Sequence, residues 1–130
     1  MANEAVCIET PTKFARYTVA DATGIAIGTL LKVSDPNTAA ASTADNEPFA
    51  GIAWEEKTAN DGIVEIVAAL NGVWDIKATT AAITVGKMVN LGGANLINQA
   101  ADADFENGSI VGKALETAGN DEVIRVRVNA

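Results

Sequence analysis

EVIRVRV, residues 122–128, is the stretch of this chain whose pattern most clearly predicts the fold. Its apolar and charged residues alternate strictly: Ile124, Val126 and Val128 against Arg125 and Arg127. Because successive side chains of a β-strand point to opposite faces, the alternation predicts a strand with one buried face. We expect both arginines to face solvent or a partner.

Similar short runs, rich in β-branched residues and separated by glycines, occupy most of the remaining chain. The candidate strands are Ala15–Ala20, Ala26–Val33, Phe49–Glu56, Ile63–Leu70, Gly72–Thr79, Lys87–Leu91, Ile110–Thr117 and Glu122–Val128. The chain has 130 residues, the usual size of one domain. These features predict an all-β protein, a small single-domain β-barrel or sandwich, with no internal repeat and no domain boundary.

Turn residues support antiparallel pairing of these strands. The turn signals are Asn60-Asp61-Gly62, Asn71-Gly72 between two strands, Gly92-Gly93-Ala94-Asn95 and Gly119-Asn120-Asp121. The small polar segment Ser34–Pro48 predicts a long mobile surface loop. Ile97–Phe105 is Ala-rich and acidic, which favours one helical turn.

The first residues predict an extended N-terminal arm, residues 1–14, in front of a β-rich domain, residues 15–130. Within the arm, Val6, Cys7 and Ile8 form a short apolar patch that favours a strand, and Pro11 marks where the arm leaves the domain. We predict that Val6, Cys7, Ile8 and Pro11 contact a partner or a neighbouring subunit by strand addition. Residues 1–12 would be weakly ordered in the isolated protein, and deletion of residues 2–12 would leave its melting temperature nearly intact.

Composition argues against several classes of function. Asp and Glu outnumber Lys and Arg by 17 to 9, for a formal net charge of −8, which disfavours a nucleic-acid partner. The sequence contains no His, the commonest general base near neutral pH and a common metal ligand. One Cys cannot form an internal disulfide. We expect neither a classical export signal nor a membrane-spanning segment.

Individual motifs with possible chemistry each have a simpler structural interpretation. Asp102–Gly108 begins like a calcium loop, but its glycine is one place late and Lys113 stands where the bidentate Glu belongs. Lys87 after Gly86 resembles a cofactor-bearing hairpin tip only faintly. Two carboxylates that are adjacent along a strand face opposite sides of the sheet, so they do not converge on one substrate. We therefore predict no catalytic residue, no metal site and no cofactor, and stability that a chelator does not change.

The order of the glycine-punctuated segments resembles the decoration, or cement, proteins of tailed-bacteriophage capsids. The segments that carry the resemblance are Thr23–Val33, Phe49–Ala53, Gly72–Ala78, Ile83–Leu91, Ile110–Gly119 and Glu122–Val128. The resemblance implies a non-enzymatic β-rich protein, often trimeric, that is assembled in the host cytoplasm and clamps the major capsid protein on the outer surface of the virion.

Two other functions are compatible with the sequence. A carbohydrate-binding β module would use Trp54 or Trp74 as a stacking platform, although burial in a core with few aromatic residues is the simpler interpretation of both. A small β-barrel enzyme would use two carboxylates that distant strands bring together.

Overall fold

The computed structural model describes residues 3–130, of which nearly all regular structure is β. The strands are β1 (Val6–Glu9), β2 (Phe14–Thr18), β3 (Leu30–Asp35), β4 (Thr38–Ala41), β5 (Phe49–Ala53), β6 (Glu65–Ala69), β7 (Asn71–Ala78), β8 (Met88–Gly93), β9 (Leu96–Gln99), β10 (Ile110–Ala114) and β11 (Val123–Asn129). One short helix, α1, spans Asp102–Glu106. With 50% strand and 4% helix, the predicted all-β single domain is confirmed.

The first half of the chain closes into a five-stranded ring, which we call the N-terminal barrel. Its strand order is β2-β4-β3-β5-β6, and β6 pairs back with β2. Every pairing is antiparallel except β2–β4, which is parallel and joins Thr18 to Thr38. Because β2 and β4 meet only at Thr18 and Thr38, the part of β2 before Thr18 has no strand on that side among residues 3–130.

The second half forms a ring of the same topology, which we call the C-terminal barrel. Its strands follow the order β7-β9-β8-β10-β11, and β11 pairs back with β7. The single parallel pairing is again between the first and third strands, β7 and β9. Strands β2 to β6 therefore correspond in order to β7 to β11. The prediction of no internal repeat is wrong.

Details of the two barrels also correspond. The β3–β4 and β8–β9 hairpins each turn through an Asn with positive φ, 51° at Asn37 and 57° at Asn95. Gly28 and Gly86, before the second strand of each barrel, have φ of 89° and 86°. Gly51 of β5 and Gly112 of β10 lie so close to the next strand that a Cβ would collide with a backbone carbonyl there. The two halves share positions that need a particular backbone conformation, while most of their side chains differ. The repeat is therefore difficult to recognise in the sequence.

The two barrels share a hydrophobic core. The larger apolar cluster combines C-terminal barrel residues such as Trp74 and Leu91 with Leu30, Phe49 and Ile52 of the N-terminal barrel. A smaller cluster around Leu31 and Ile66 fills the N-terminal barrel. At the junction of the barrels, β6 passes into β7 through Leu70 alone, and the backbone N–H of Asn46 donates to the carbonyl of Leu91 at 3.0 Å. The barrels are therefore packed against each other as one unit.

The segment Ser34–Pro48, predicted as a loop, contains strand β4. Residues 38–41 pair antiparallel with β3, because Asn37 makes the tight turn that brings the chain back. Beyond β4, Glu47 accepts hydrogen bonds from the backbone N–H of Thr43 at 2.7 Å and of Ala44 at 2.9 Å. Side chains thus order a stretch whose composition alone predicts a loop.

Two other local predictions also need correction. Asn71-Gly72 does not form a hairpin turn, since both residues lie within β7 and the strands before and after Leu70 belong to different barrels. The helix begins at Asp102 and not near Ile97, which belongs to β9. Asp104 fixes this helix start, because its carboxylate accepts a hydrogen bond from the backbone N–H of Ala101 at 2.6 Å.

The extended N-terminal arm is not shown by the structure. From Val6 to Glu9 the chain forms β1, which pairs antiparallel with β7, and Ala5 is already buried. The predicted short strand at Val6–Ile8 is therefore present, but it is attached to the chain's own sheet, where β7 pairs with the backbone groups on one side of it. Residues 1 and 2 of the predicted arm lie outside the described residues.

Candidate functional site

The four residues predicted to contact a partner lie at the edge of the C-terminal barrel. Val6 and Ile8, whose side chains are 60% and 40% exposed, belong to β1 at the end of the six-stranded sheet. Cys7 is half-buried between them and packs against the core. Pro11 is buried where the chain crosses Gly72 on its way to β2. Of these four residues, Val6 and Ile8 therefore present the largest apolar surface to a partner.

Strand β1 is held in place from both sides. Val6 pairs with Asp75 and Cys7 with Trp74 of β7, and a bulge shifts the register before Glu9 meets Val73. On the other side, the backbone N–H of Ala5 donates to the carbonyl of Gly28 at 2.8 Å. This link joins the start of β1 to the N-terminal barrel.

Cys7 has the character of a packing residue. Burial raises the pKa of its thiol, which disfavours the nucleophilic thiolate at neutral pH. Its Sγ lies 3.5 Å from the carbonyl oxygen of Glu9, as a weak donor.

Three aromatic side chains form a row beside β1 and β2. The ring centroids of Phe14 and Trp54 are 5.6 Å apart, and those of Trp54 and Trp74 are 5.9 Å apart with the rings nearly perpendicular. Trp74 is 2% exposed and its Nε1 donates to the carbonyl of Asn71 at 3.1 Å. It therefore packs in the core and offers no platform for stacking, whereas Trp54 is half-buried.

Two shallow cavities open on either side of Trp54. One, of about 430 Å³, is lined by Phe14, Ala15, Arg16, Trp54 and Val67. The other, of about 330 Å³, lies between β1 and Gly28 and is bounded by Trp54 and Trp74. The sequence prediction missed Phe14 and Arg16 as surface residues. The signal that could have found them is the charge of Arg16, which places residues 14 and 16 on the outer face of a strand.

Charged side chains in the N-terminal barrel are organised around Lys57. Its buried Nζ donates to Asp61 Oδ1 at 2.9 Å, to the carbonyl of Asp21 at 3.0 Å and to the carbonyl of Thr58 at 3.0 Å. Burial disfavours the ammonium, but the two aspartates outweigh it and raise the pKa of Lys57. The corresponding position of the C-terminal barrel is Ala118, which makes the equivalent pair of backbone hydrogen bonds with Ile83. Lys57 therefore ties the β5–β6 loop to the β2–β3 loop.

Both arginines of β11 are exposed, as its alternation predicts. Arg125 Nε lies 3.4 Å from Asp75 Oδ1, and Arg127 Nη1 lies 3.9 Å from Glu9 Oε1 of β1. Exposed pairs of this kind contribute little stability, but they give the β1–β7–β11 face a mixed charge.

The motifs considered for metal or cofactor chemistry take structural positions. The acidic run after Ala101 forms α1, and Gly86 turns the chain so that Lys87 precedes β8 as an exposed residue. Within residues 3–130, His, Cys, Asp and Glu side chains form no group of three or more that could hold a metal ion. In the same part of the chain, no helix has the length and apolar character needed to cross a membrane.

No family model matches this chain, and a search of curated proteins finds no match either.

Proposed function

We propose that this protein is a capsid decoration protein, which binds the outer surface of a tailed-phage head and stabilises the lattice of the major capsid protein. It acts by binding and catalyses no reaction. The proposal rests on the resemblance of its glycine-punctuated segments to those proteins, together with the surface described above. Its place is the virion, after assembly in the host cytoplasm.

The observation that carries the proposal is the exposed apolar pair on β1. Val6 and Ile8 lie two residues apart on an edge strand and are 60% and 40% exposed. Because Val6 and Ile8 are already partly buried, covering their exposed parts with a neighbour contributes about 1.5 to 3 kcal/mol before the costs of association. A rigid double barrel with its contact residues on a preformed edge loses little conformational entropy on docking, which suits a protein that clamps a lattice.

Self-association into a homo-oligomer, a trimer by the resemblance, is part of the same proposal. Several copies joined together would bind a repeating lattice through several weak contacts at once. Each docked contact then raises the effective concentration of the next, so a modest single contact suffices.

Co-sedimentation with phage heads that lack the protein tests this function. We expect the wild-type protein to pellet with the heads and Val6→Asp/Ile8→Asp to remain in the supernatant. Val123→Asp is the matched control, because Val123 is also 60% exposed on a strand but lies on β11. Failure of the wild-type protein to bind any tailed-phage head, or equal binding by the β1 double variant, contradicts the proposal.

Carbohydrate binding is the second candidate, and the aromatic cavity favours it. Phe14, Trp54 and Arg16 line an open surface depression, which is the chemistry that stacks on and hydrogen-bonds a sugar. Because the Phe14 and Trp54 rings are inclined at 53°, they do not form one flat platform. Retention on a polysaccharide column that Trp54→Ala abolishes would support this candidate over capsid binding.

A further inference from the structure

Comparison of the two barrels shows that one edge of the N-terminal barrel lacks a neighbouring strand that its counterpart has. In the C-terminal barrel, β7 pairs with β9 through Lys77 and Ala78, and with β1 through residues 73–75. Both neighbours lie on the side of β7 that faces away from β11. In the N-terminal barrel, β2 occupies the position of β7, and β4 occupies that of β9.

The registers identify the residues of β2 that correspond to the β1-binding part of β7. Asp75 pairs with Arg125 and Arg16 with Val67, at equivalent places on β11 and β6. Residues 14–16 of β2 are thus the counterparts of residues 73–75 of β7. No strand among the described residues pairs with β2 there, other than β6 on its opposite side.

The backbone of this edge is directed outward. Just outside β2, the N–H of Val19 donates to the carbonyl of Val64, and the carbonyl of Lys13 accepts from the N–H of Leu70. The backbone N–H and C=O groups of the odd-numbered residues therefore point towards β6. Alternation then directs the backbone groups of Phe14 and Arg16 away from β6. The N–H of Thr18 confirms this direction, since it donates to Asn37 at 3.0 Å on the outer side.

The side chains around this edge remain uncovered, in contrast to their counterparts. Phe14 is 44% exposed, whereas its counterpart Val73 is fully buried. The cavity of about 430 Å³ lies over the face on which Phe14 and Arg16 project and reaches Val67 of β6, so this face of β2 is open. Arg16 is exposed and has no salt bridge within residues 3–130, whereas the matching position in the C-terminal barrel holds Asp75, paired with Arg125.

We propose that the outer edge of β2, at residues 14–16, binds an extended segment of a partner protein that adds as an antiparallel strand, as β1 does on β7. The chemistry of the edge defines the segment. It needs backbone groups for Phe14 and Arg16, an apolar side chain to pack beside Phe14, and a carboxylate for Arg16. The chain's own β1 has this apolar and acidic composition, but β7 and Gly28 already hold it.

A peptide probe tests the edge on the free protein, so the result is separate from that of head binding. The probe is a synthetic peptide with the sequence of residues 3–10, in which Cys7 is replaced by Ser to prevent disulfide formation. At about 1 mM peptide we expect amide hydrogen exchange of Phe14 and Arg16 to slow by at least about tenfold, measured by NMR. A peptide with N-methylated amides at its Val6 and Ile8 positions should have no effect.

Two variants separate the backbone contribution from that of the charge. Arg16→Pro removes an N–H that points away from β6, so the fold should tolerate it while protection at Phe14 is lost. Arg16→Ala keeps the N–H and should bind the peptide several-fold more weakly. If Arg16→Pro does not fold, the N-methylated peptide provides the same comparison with the unaltered protein.

Three results would overturn the inference. The first is unchanged exchange of Phe14 and Arg16, or protection that the N-methylated peptide also produces. The second is a response confined to Val73 and Asp75, which would mean that the peptide only displaces β1. The third is a wild-type oligomer that Arg16→Pro dissociates, measured by light scattering, because a second copy would then occupy the edge.

Discussion

Glu47 illustrates how a single side chain orders a segment of small polar residues. One carboxylate oxygen accepts the backbone N–H groups of Thr43 and Ala44, and the other lies 2.6 Å from Lys32 Nζ. Partial burial opposes the charged form, but the hydrogen bonds from Lys32 and from these backbone groups prevail and lower the pKa of Glu47 to about 2. The ionised carboxylate thus stabilises the chain between β4 and β5.

We predict that this contribution depends on pH. A carboxyl group whose pKa is lower in the folded state stabilises the fold above its unfolded-state pKa and loses the effect as pH falls through the folded value. For Glu47 the effect is complete above about pH 5 and disappears near pH 2. Glu47→Gln should therefore lower the free energy of unfolding by about 1 to 2 kcal/mol at pH 7, after allowance for solvent screening.

Urea unfolding of both proteins at several pH values measures this difference. The gap between wild type and Glu47→Gln should narrow steadily below pH 4.5, the ordinary pKa of the carboxyl group. A gap that stays constant down to pH 2 would show that the variant acts through packing and not through the charge.

Among the secondary-structure elements, β1 is packed as part of the folded domain and does not extend from it as an arm. It covers Val73 and Trp74 of β7, and its backbone bridges β7 and Gly28. A short strand of this kind is marginal alone, but two partners hold it here. The exposed Val6 and Ile8 remain available on its outer surface, so the same strand contributes to both stability and binding.

We predict that removal of β1 destabilises the free protein. Deletion of residues 3–9 would expose Trp74 and leave the edge of β7 unpaired, lowering the free energy of unfolding by about 2 to 4 kcal/mol. Tryptophan fluorescence during urea unfolding measures the loss. Val6→Ser is the control and should change stability by less than about 0.5 kcal/mol, since its side chain is mostly exposed. Equal stability of the deletion variant and the wild type would restore the interpretation of these residues as a detachable arm.

At the scale of the whole molecule, the two barrels are joined by a common core. Leu30, Phe49 and Ile52 of the N-terminal barrel belong to the same apolar cluster as most of the C-terminal barrel. Two units that share this much buried surface do not fold independently of each other. Each would expose part of its core if separated from the other.

We therefore predict a single cooperative unfolding transition for the two barrels. Calorimetric and van't Hoff enthalpies should agree, and circular dichroism and tryptophan fluorescence should give the same midpoint. A fragment of residues 71–130 should not fold alone, because the core positions filled by Leu30, Phe49 and Ile52 would be open to water. Two resolved transitions, or a stable isolated fragment, would mean that the barrels are energetically independent.

Local sequence pattern was enough to predict the strands whose side chains alternate and the turns that require a particular backbone conformation. The alternation through Ile124, Val126 and Val128 predicts β11, and Asn60 and Asn95 do adopt the positive φ that their turn signals favour. These features are local, because side-chain period and backbone torsion are set by neighbours in the chain. They were sufficient for the all-β class.

Contacts between distant parts of the chain, and not local pattern, establish which strands pair. They therefore also establish the two rings, the position of β1 and the open edge of β2. Residues 38–41 of β4 have the composition of a loop, yet β3 turns them into a strand. Asn71-Gly72 has the signature of a hairpin, yet it continues a strand from one barrel into the other. Pairing between distant strands depends on packing that no local window contains, so the repeat and the contrast between Phe14 and Val73 emerge only when both barrels are closed.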